Sequence, residues 1–207
     1  MTSRDSAATR ARLLAAAQHE FAAHGIGGAR VDRIAKKAGV NKERIYGHFG
    51  SKEKLFEAVI ADALDTHTAA LGLPTDDPAE YVGRIYDFHR KHPQLLRLLT
   101  WEALYYGAEG LLDEQRRAAH YAEKVAALAK TLGVESDRKT ATTLLALIGL
   151  AAWPTAVPQL TRLILGQSTD GDSDVRGYLV ELARKVIAPD QVPMPSPPPT
   201  GSTAPVT

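Results

Sequence analysis

A short stretch near the start of the chain concentrates side chains that can bind a polyanion. Residues 30–54 carry eight basic residues against three acidic ones, a net charge of +5, whereas the rest of the 207-residue chain sums to −4. The basic residues are Arg30, Arg33, Lys36, Lys37, Lys42, Arg44, Lys52 and Lys54. Such a cluster is typical of surfaces that bind phosphates, although a solvated helix face can have the same composition. Charge alone leaves both interpretations open.

Two short helices joined by a tight turn are predicted to position these cations. Residues 31–38 have the apolar spacing of a helix, and Gly39 is a typical residue for its end. Asn41 is a good N-cap for a second helix over residues 42–49. This order is that of a helix-turn-helix, a motif that places its second helix in the major groove of DNA.

The second helix of this hairpin has one apolar face. Ile45 and Phe49 are four residues apart and must pack on the first helix. The other residues face outward, with Glu43 and Gly47 opposite the core, Lys42 and Tyr46 on one flank, and Arg44 and His48 on the other. Cations, hydroxyls and imidazoles bind phosphates, and a glycine allows close approach of the backbone to a groove. The pattern therefore predicts binding to duplex DNA.

Residues 30–56, RVDRIAKKAGVNKERIYGHFGSKEKLF, together with the preceding LLAAAQHEFAAHG, resemble the DNA-binding domain of the TetR (tetracycline repressor) family of transcriptional regulators. The resemblance covers about 45 residues, and the remainder matches the family in length and helicity. It implies phosphate contacts by Tyr46, His48 and Lys52, a cap of the recognition helix by Asn41, and operator choice by Lys42, Glu43 and Arg44.

Two positions depart from the family pattern. Arg30 stands where a threonine or serine commonly caps the first helix of the hairpin, so that cap is lost or replaced, and the arginine is available to a phosphate or a minor-groove edge. Glu43 and Arg44 stand where a small residue and a threonine are common. Arginine binds guanine bidentately, and glutamate accepts from cytosine N4 or holds the arginine. We therefore predict half-sites that depend on G·C pairs.

The whole chain is predicted to be all-α, with two domains and a tail. The predicted units are a helix-turn-helix DNA-binding domain over residues 1–70, a helical ligand-binding and dimerisation domain over 71–188, and a disordered proline-rich tail over 189–207. Gly, Pro and Asp mark a loop at residues 71–78, the boundary between the domains. Seven of the last nineteen residues are proline, and they form no apolar face. Further helices are predicted over residues 9–24, 78–91, 93–106, 112–132, 136–153, 157–165 and 175–187.

Aromatic residues are concentrated in the second domain, where six of the thirteen lie between Tyr81 and Tyr106. At helical spacing they favour a packed core. The family resemblance favours a small-molecule inducer cavity instead, because tyrosine and tryptophan suit an apolar lining with polar tips. The predicted ligand-binding residues are Phe88, Trp101, Leu104, Tyr105 and Trp153.

The resemblance further implies a homodimer, formed by residues of about 137–165 and 173–188 as a four-helix bundle. A two-fold pair of hairpins reads half-sites one helical turn apart, roughly 34 Å. The expected function is a sequence-specific transcriptional regulator, a repressor that a small molecule releases from its operator. The apolar stretch 144–152 is too short to span a bilayer and the N-terminus lacks a signal-peptide core, so we expect neither membrane insertion nor secretion. The resemblance implies a bacterial cytoplasmic protein associated with the nucleoid.

Other chemistry has little support in the sequence. The chain has no cysteine, which excludes disulfides, thiol nucleophiles and cysteine-ligated metals. HEFAAH, residues 19–24, has one residue too many for HExxH, and His89 and His92 are interpreted as solvated histidines at a helix end. No metal, cofactor or catalytic residue is predicted. Two alternatives stay open, an all-helical enzyme or cofactor-binding protein with an incidental basic hairpin, and an interaction module that uses its proline-rich tail.

Overall fold

The structure, a computed structural model, describes residues 3–107, 111, 113–166 and 171–188. This part of the chain folds into ten α-helices and contains no strand, so the predicted all-α fold is confirmed. The helices are α1 (Ser3–Gly28), α2 (Val31–Ala38), α3 (Lys42–Phe49), α4 (Lys52–Leu71), α5 (Pro78–Lys91), α6 (Gln94–Tyr106), α7 (Glu114–Leu132), α8 (Arg138–Ala156), α9 (Pro158–Leu165) and α10 (Gly171–Ile187). The predicted proline-rich tail, residues 189–207, lies outside the described residues.

The first four helices share one apolar core. α1 packs against α2 and α4, and α3 packs against the same two helices. Phe21 and Phe56 meet edge to face at the centre, with ring centroids 5.1 Å apart. Leu13, Ile34 and Ile45 are fully buried in the same cluster. Because every helix contributes to one core, the helix-turn-helix hairpin is held firmly against α1 and α4.

The first helix is bent at Gly25, whose φ of +64° and ψ of −177° interrupt the helical geometry. This backbone conformation is essentially restricted to glycine. The position is also crowded, because a Cβ on Gly25 would lie 2.7 Å from the ring of Trp101 on α6. The helix end expected at Gly25 is thus a bend, and the helix extends from Ser3 to Gly28 instead of over residues 9–24.

α5 is the helix around which the C-terminal half is built, since it packs against both α8 and α10. Tyr81, Val82 and Ile85 on α5 are buried. Two ion pairs join α10 to this helix and its cap: Arg176 Nε lies 2.8 Å from Asp87 Oδ2, and Arg184 Nη2 lies 3.0 Å from Asp77 Oδ2. Partly exposed pairs of this kind contribute about 1 kcal/mol or less each, so apolar packing carries most of the stability.

Local signals set most helix boundaries. Asp77 begins α5 by accepting from the Ala79 N–H at 2.8 Å, and Asp137 begins α8 by accepting from the Thr140 N–H at 2.9 Å. The start of α8 expected at Ser136 is therefore displaced, with Asp137 as the N-cap. Pro154 lies in the last turn of α8, after which the chain bends by 85° into α9.

Among the described residues, no single helix has the length and apolar character needed to cross a membrane. Only α8 and α9 taken together, across their 85° bend, reach that length and composition. α8 buries Leu144, Leu147 and Ala151 inside the protein.

Candidate functional site

The turn between α2 and α3 is closed by backbone and side-chain hydrogen bonds. Gly39 adopts the left-handed conformation, with φ +68° and ψ 37°, which lets its N–H reach Lys36 O at 3.3 Å. Asn41 then accepts from the Arg44 N–H at 3.2 Å, as an N-cap should. The helix-turn-helix predicted from the sequence is therefore present, and its angle is set by a glycine and a cap two residues apart.

α3 presents the expected faces. Ile45 and Phe49 are buried, while Tyr46 is 43% exposed. All eight residues predicted to contact DNA have exposed or partly exposed side chains: Arg30, Asn41, Lys42, Glu43, Arg44, Tyr46, His48 and Lys52. Space around Gly47 is open, since a Cβ there would meet nothing within 4 Å. The surface of α3 thus offers hydrogen-bond donors around a point where the backbone itself is accessible.

Lys42 is held by the neighbouring helix of the hairpin. Its Nζ lies 3.2 Å from Asp32 Oδ1 on α2. The hydrogen bond and charge of Asp32 raise the pKa of Lys42 above its ordinary value. The ammonium group is therefore oriented before any DNA is bound, and DNA must compete with Asp32 for it.

The missing cap at Arg30 is replaced from another helix. The Arg30 side chain makes no cap, but its backbone N–H donates to Glu20 Oε1 on α1 at 2.9 Å. Arg33 Nε donates to the same oxygen at 2.8 Å. Burial alone would raise the pKa of Glu20, yet the hydrogen bonds from Arg33 and Arg30 lower it below its ordinary value. A carboxylate at the start of α2 also suits the helix dipole.

Two further cations lie beside the hairpin that the sequence analysis did not single out. Arg10 places its guanidinium 5.5 Å from the centroid of the Phe49 ring. Arg12 Nη1 is the nearest atom to a Cβ built on Gly39, at 3.9 Å. Both side chains are exposed on α1. In the sequence, these two arginines stand two residues apart directly before the apolar stripe of α1. They extend the basic surface beyond residues 30–54.

The C-terminal half contains a cavity of about 640 Å³ between α5, α6, α8 and α9. Trp101 and Leu104 line it, as the predicted ligand set requires, with Tyr86, Arg97 and Thr100 beside them. The other predicted residues do not line this cavity. Trp153 lines instead an adjoining groove of about 380 Å³, together with Leu160 and Ile164, and this groove shares Thr161 and Leu165 with the cavity wall.

Neither Phe88 nor Tyr105 lines the large cavity, so the structure corrects the predicted ligand set at these two positions. Phe88 is buried and meets the His67 ring of α4 edge to face, with centroids 4.9 Å apart. Tyr105 is 52% exposed on the outer surface of α6. Helical spacing does not tell which neighbouring helix covers an aromatic residue, so the aromatic cluster divides between core, cavity and surface.

The large cavity shares residues with the contact between α6 and α1. Trp101 packs its ring on Gly25, and Arg97 Nε donates to Ala22 O at 2.8 Å. Both side chains also line the cavity. The cavity wall is therefore in direct contact with the first helix of the DNA-binding half.

The structure also corrects the expectation that His89 is a solvated histidine. It is only 3% exposed, and its ring stacks on His67 with centroids 5.4 Å apart. Burial lowers the pKa of His89 to about 4, so this histidine is a neutral core residue and not a solvated one. His92 is exposed, as expected. No group of three metal-ligating side chains occurs in the described part of the chain.

An apolar surface runs over α8, α9 and α10. Large hydrophobic side chains are exposed there: Leu145, Trp153, Leu160, Leu163, Ile164, Leu165, Tyr178 and Val186. All of them fall within the ranges 137–165 and 173–188 that were predicted to form the dimer. Apolar surface of this extent is typical of a protein interface.

Two family models match the chain. The model for bacterial regulatory proteins of the tetR family covers residues 13–59, and the model for the tetracyclin repressor-like C-terminal domain covers residues 77–185. The second match accounts for more than half of the chain.

Individual relatives agree with these matches. The chain is 40% identical over 190 residues to the HTH-type transcriptional repressor SCO4008 of Streptomyces coelicolor, covering 90% of this chain and 99% of that protein. It is 34% identical to the repressor NicS of Pseudomonas putida, over 53% of this chain and 55% of NicS. The crystal structure of the putative transcriptional regulator SCO4942 of S. coelicolor superposes with a TM-score of 0.72 at 32% identity, covering 86% of this chain and 97% of that one. The chain therefore belongs to the TetR family of DNA-binding transcriptional regulators.

Proposed function

We propose that this protein is a dimeric repressor that binds operator DNA through α3 and leaves it when a small molecule occupies the large cavity. The observation that carries the proposal is the outward presentation of Arg44 and Tyr46 on a capped helix whose opposite face, Ile45 and Phe49, is buried. The 40% identity to a transcriptional repressor supports repression rather than activation. Action on operator DNA would place the protein at the bacterial nucleoid.

In this proposal, contacts to phosphates and contacts to bases come from different parts of the hairpin. Tyr46, His48 and Lys52 contact phosphates and set the register of the protein on the duplex. Lys42, Glu43 and Arg44 reach base edges, with Arg44 binding guanine O6 and N7 and Glu43 accepting from cytosine N4. Arg10, Arg12 and Arg30 extend the phosphate contacts at the side where α1 meets the turn.

Dimerisation through α8, α9 and α10 would provide two hairpins on one two-fold axis. Two half-sites one helical turn apart, roughly 34 Å, then form a palindromic operator. The exposed apolar residues Leu163, Ile164 and Tyr178 supply the buried centre of such an interface. Light scattering coupled to size-exclusion chromatography is expected to give twice the chain mass, and Leu163→Glu is expected to reduce it.

Dissociation from the operator would begin with a movement of the cavity wall that is passed on to α1. An occupant touching Trp101 and Arg97 displaces side chains that hold Gly25 and Ala22 of α1. Because α1 packs against α2 and α4, its movement changes the position of each hairpin relative to the dimer axis. Two hairpins at a different spacing can no longer enter successive major grooves together.

Selection of binding sites from random duplexes with the purified protein tests the DNA-binding part. We expect a palindrome with G·C pairs in each half-site, and affinity that falls steeply with salt. Arg44→Ala should cost about 1–3 kcal/mol on that operator and relax base choice at one position. Lys130→Ala, at an exposed position of α7 outside both the hairpin and the proposed dimer helices, is the control and should bind normally. Equal weakening of Arg44→Ala on all sequences would contradict base readout by this residue.

A further inference from the structure

A second, smaller cavity lies between α4 and α7 and shares no lining residue with the large one. Its volume is about 160 Å³, enough for roughly five to ten water-sized groups. Side chains able to donate hydrogen bonds dominate its wall: His67, Thr68, Arg116, Arg117, His120 and Lys124. The lining composition therefore differs from that of a hydrophobic void left by imperfect packing.

Lys124 is the unusual member of this wall. It is only 2% exposed, and in the described part of the chain its Nζ has neither a hydrogen bond nor an ion pair. The ring centroids of Tyr81 and Tyr121 lie 5.8 and 5.9 Å from its Nζ. Burial lowers the pKa of Lys124 below its ordinary value. A buried lysine without an acidic partner is costly when it is charged, and an anionic ligand would offset that cost.

Two more nitrogen atoms in the same wall lack acceptors. Arg117 binds Glu102 through Nη1 and Nη2, at 2.8 and 3.0 Å, but its buried Nε has no partner. His67 Nε2 is likewise buried and unpartnered. Together with Lys124 Nζ, residues of the cavity wall therefore carry three nitrogen atoms without a protein oxygen as partner.

The acidic residues nearby are already neutralised. Asp65 lines the cavity, but Arg116 Nη1 lies 2.9 Å from its Oδ1. Glu102 is taken by Arg117. Lys124 is thus the cation left without a counter-charge, and one negative charge would balance the site. A dianion would leave a buried charge uncompensated, which disfavours phosphate.

We propose that this cavity binds a small organic monocarboxylate, with its carboxylate at Lys124 Nζ, Arg117 Nε and His67 Nε2 and its apolar part against Leu64 and Tyr121. The apolar part must be short, because the cavity admits only about ten non-hydrogen atoms in all. The proposal concerns binding alone and holds whether or not the occupant moves the DNA-reading helices. It is therefore independent of operator binding.

Thermal denaturation and titration calorimetry of the full chain without DNA test the site, with sodium acetate, butyrate and benzoate as probes. Benzamide is the uncharged match for benzoate, and inorganic phosphate, measured at about pH 8 where it is mostly HPO4²⁻, is the dianionic one. We expect at least one carboxylate to raise the Tm in a dose-dependent way and to bind at least tenfold more tightly than benzamide and phosphate. No response to any of the three carboxylates at millimolar concentration would overturn the proposal, as would an equal response to benzamide.

Variants locate the site. Lys124→Met keeps the length of the side chain and should weaken carboxylate binding at least tenfold, whereas Lys130→Met, at an exposed position of the same helix, should leave it unchanged. His67→Leu should weaken it about threefold and serves if Lys124→Met does not fold, as judged by circular dichroism. Unchanged affinity in a folded Lys124→Met protein, or in His67→Leu, would overturn the assignment.

Discussion

The DNA-reading hairpin and the ligand-facing half of the protein are built in opposite ways. In the hairpin, the cap Asn41, the turn residue Gly39 and the outward residues of α3 lie within a dozen positions of one another. In the other half, the wall of the large cavity comes from α5, α6, α8 and α9, which are far apart in the chain. Local geometry therefore determines the first surface, whereas the second exists only when distant helices meet.

Gly25, where α1 contacts α6 of the other region, should be the position least tolerant of substitution. Gly25→Ala places a Cβ in a glycine-only conformation and 2.7 Å from the Trp101 ring, so we expect a loss of about 2–4 kcal/mol in the free energy of unfolding. Gly27→Ala is the matched control, because a Cβ there meets nothing within 4 Å. Urea denaturation measures both. Equal stability of the two variants would show that the halves are not joined through Gly25.

Acidification should weaken the contact between α4 and α5, where His67 stacks on His89. Burial lowers the pKa of His89 to about 4, and burial together with His89 and Lys124 lowers that of His67 to about 3. In the unfolded chain both titrate near 6.5, so this stabilisation is fully present above pH 6.5 and is lost as the pH falls toward 4. The free energy of unfolding should decrease by up to about 1.4 kcal/mol per pH unit for each histidine.

Denaturation at several pH values between about 6.5 and 4.5 measures this slope. His89→Gln should make the slope shallower, and His19→Gln, an exposed position on α1, should leave it unchanged. A slope that does not respond to His89→Gln would mean that His89 is already protonated in the folded protein.

The locally determined hairpin should respond to loss of its cap by a smaller amount. Asn41→Ala removes the acceptor of the Arg44 N–H and should cost about 1 kcal/mol of stability. Ser51→Ala, which removes the corresponding cap of α4, should cost a similar amount. If Asn41→Ala costs nothing while Ser51→Ala does, packing of Ile45 and Phe49 rather than the cap would be what positions α3.

The smallest expected effect separates folding from function within the hairpin. Gly47→Ala should raise stability by about 0.5–1 kcal/mol, because the helix prefers alanine and space is open there. The same methyl group should weaken operator binding, since it lies where the α3 backbone is accessible. Fluorescence anisotropy with the selected operator measures binding. Unchanged affinity would show that the α3 backbone does not approach the groove.

Predictions from the sequence were most accurate where the signal is local. The bounds of α3 and α5 follow from Asn41 as a cap and from Pro78 in the first turn, and the structure has both helices at the predicted residues. The bend after α8 follows from Pro154. Errors arose where a partner comes from elsewhere in the chain. The residues that follow His89 in sequence are polar and typical of a surface, yet His67 on α4 covers its ring.

The replacement of the α2 cap shows the same limit. Arg30 by itself indicates only that a serine or threonine is missing, and nothing in residues 30–54 identifies Glu20 as the substitute. That carboxylate arrives because α1 packs on α2. Likewise, the division of the aromatic residues among cavity, core and surface depends on which helix lies opposite each one.

By itself, the order of residues determined an all-helical chain with a capped, cationic helix-turn-helix, because caps, turns and one-sided apolar spacing act over a few residues. Only the tertiary structure decided which side chains line the two cavities, that Trp101 rests on Gly25, and that Lys124 is buried without an acid. These outcomes depend on contacts between helices that are tens of residues apart, and short-range preferences carry no information about such contacts.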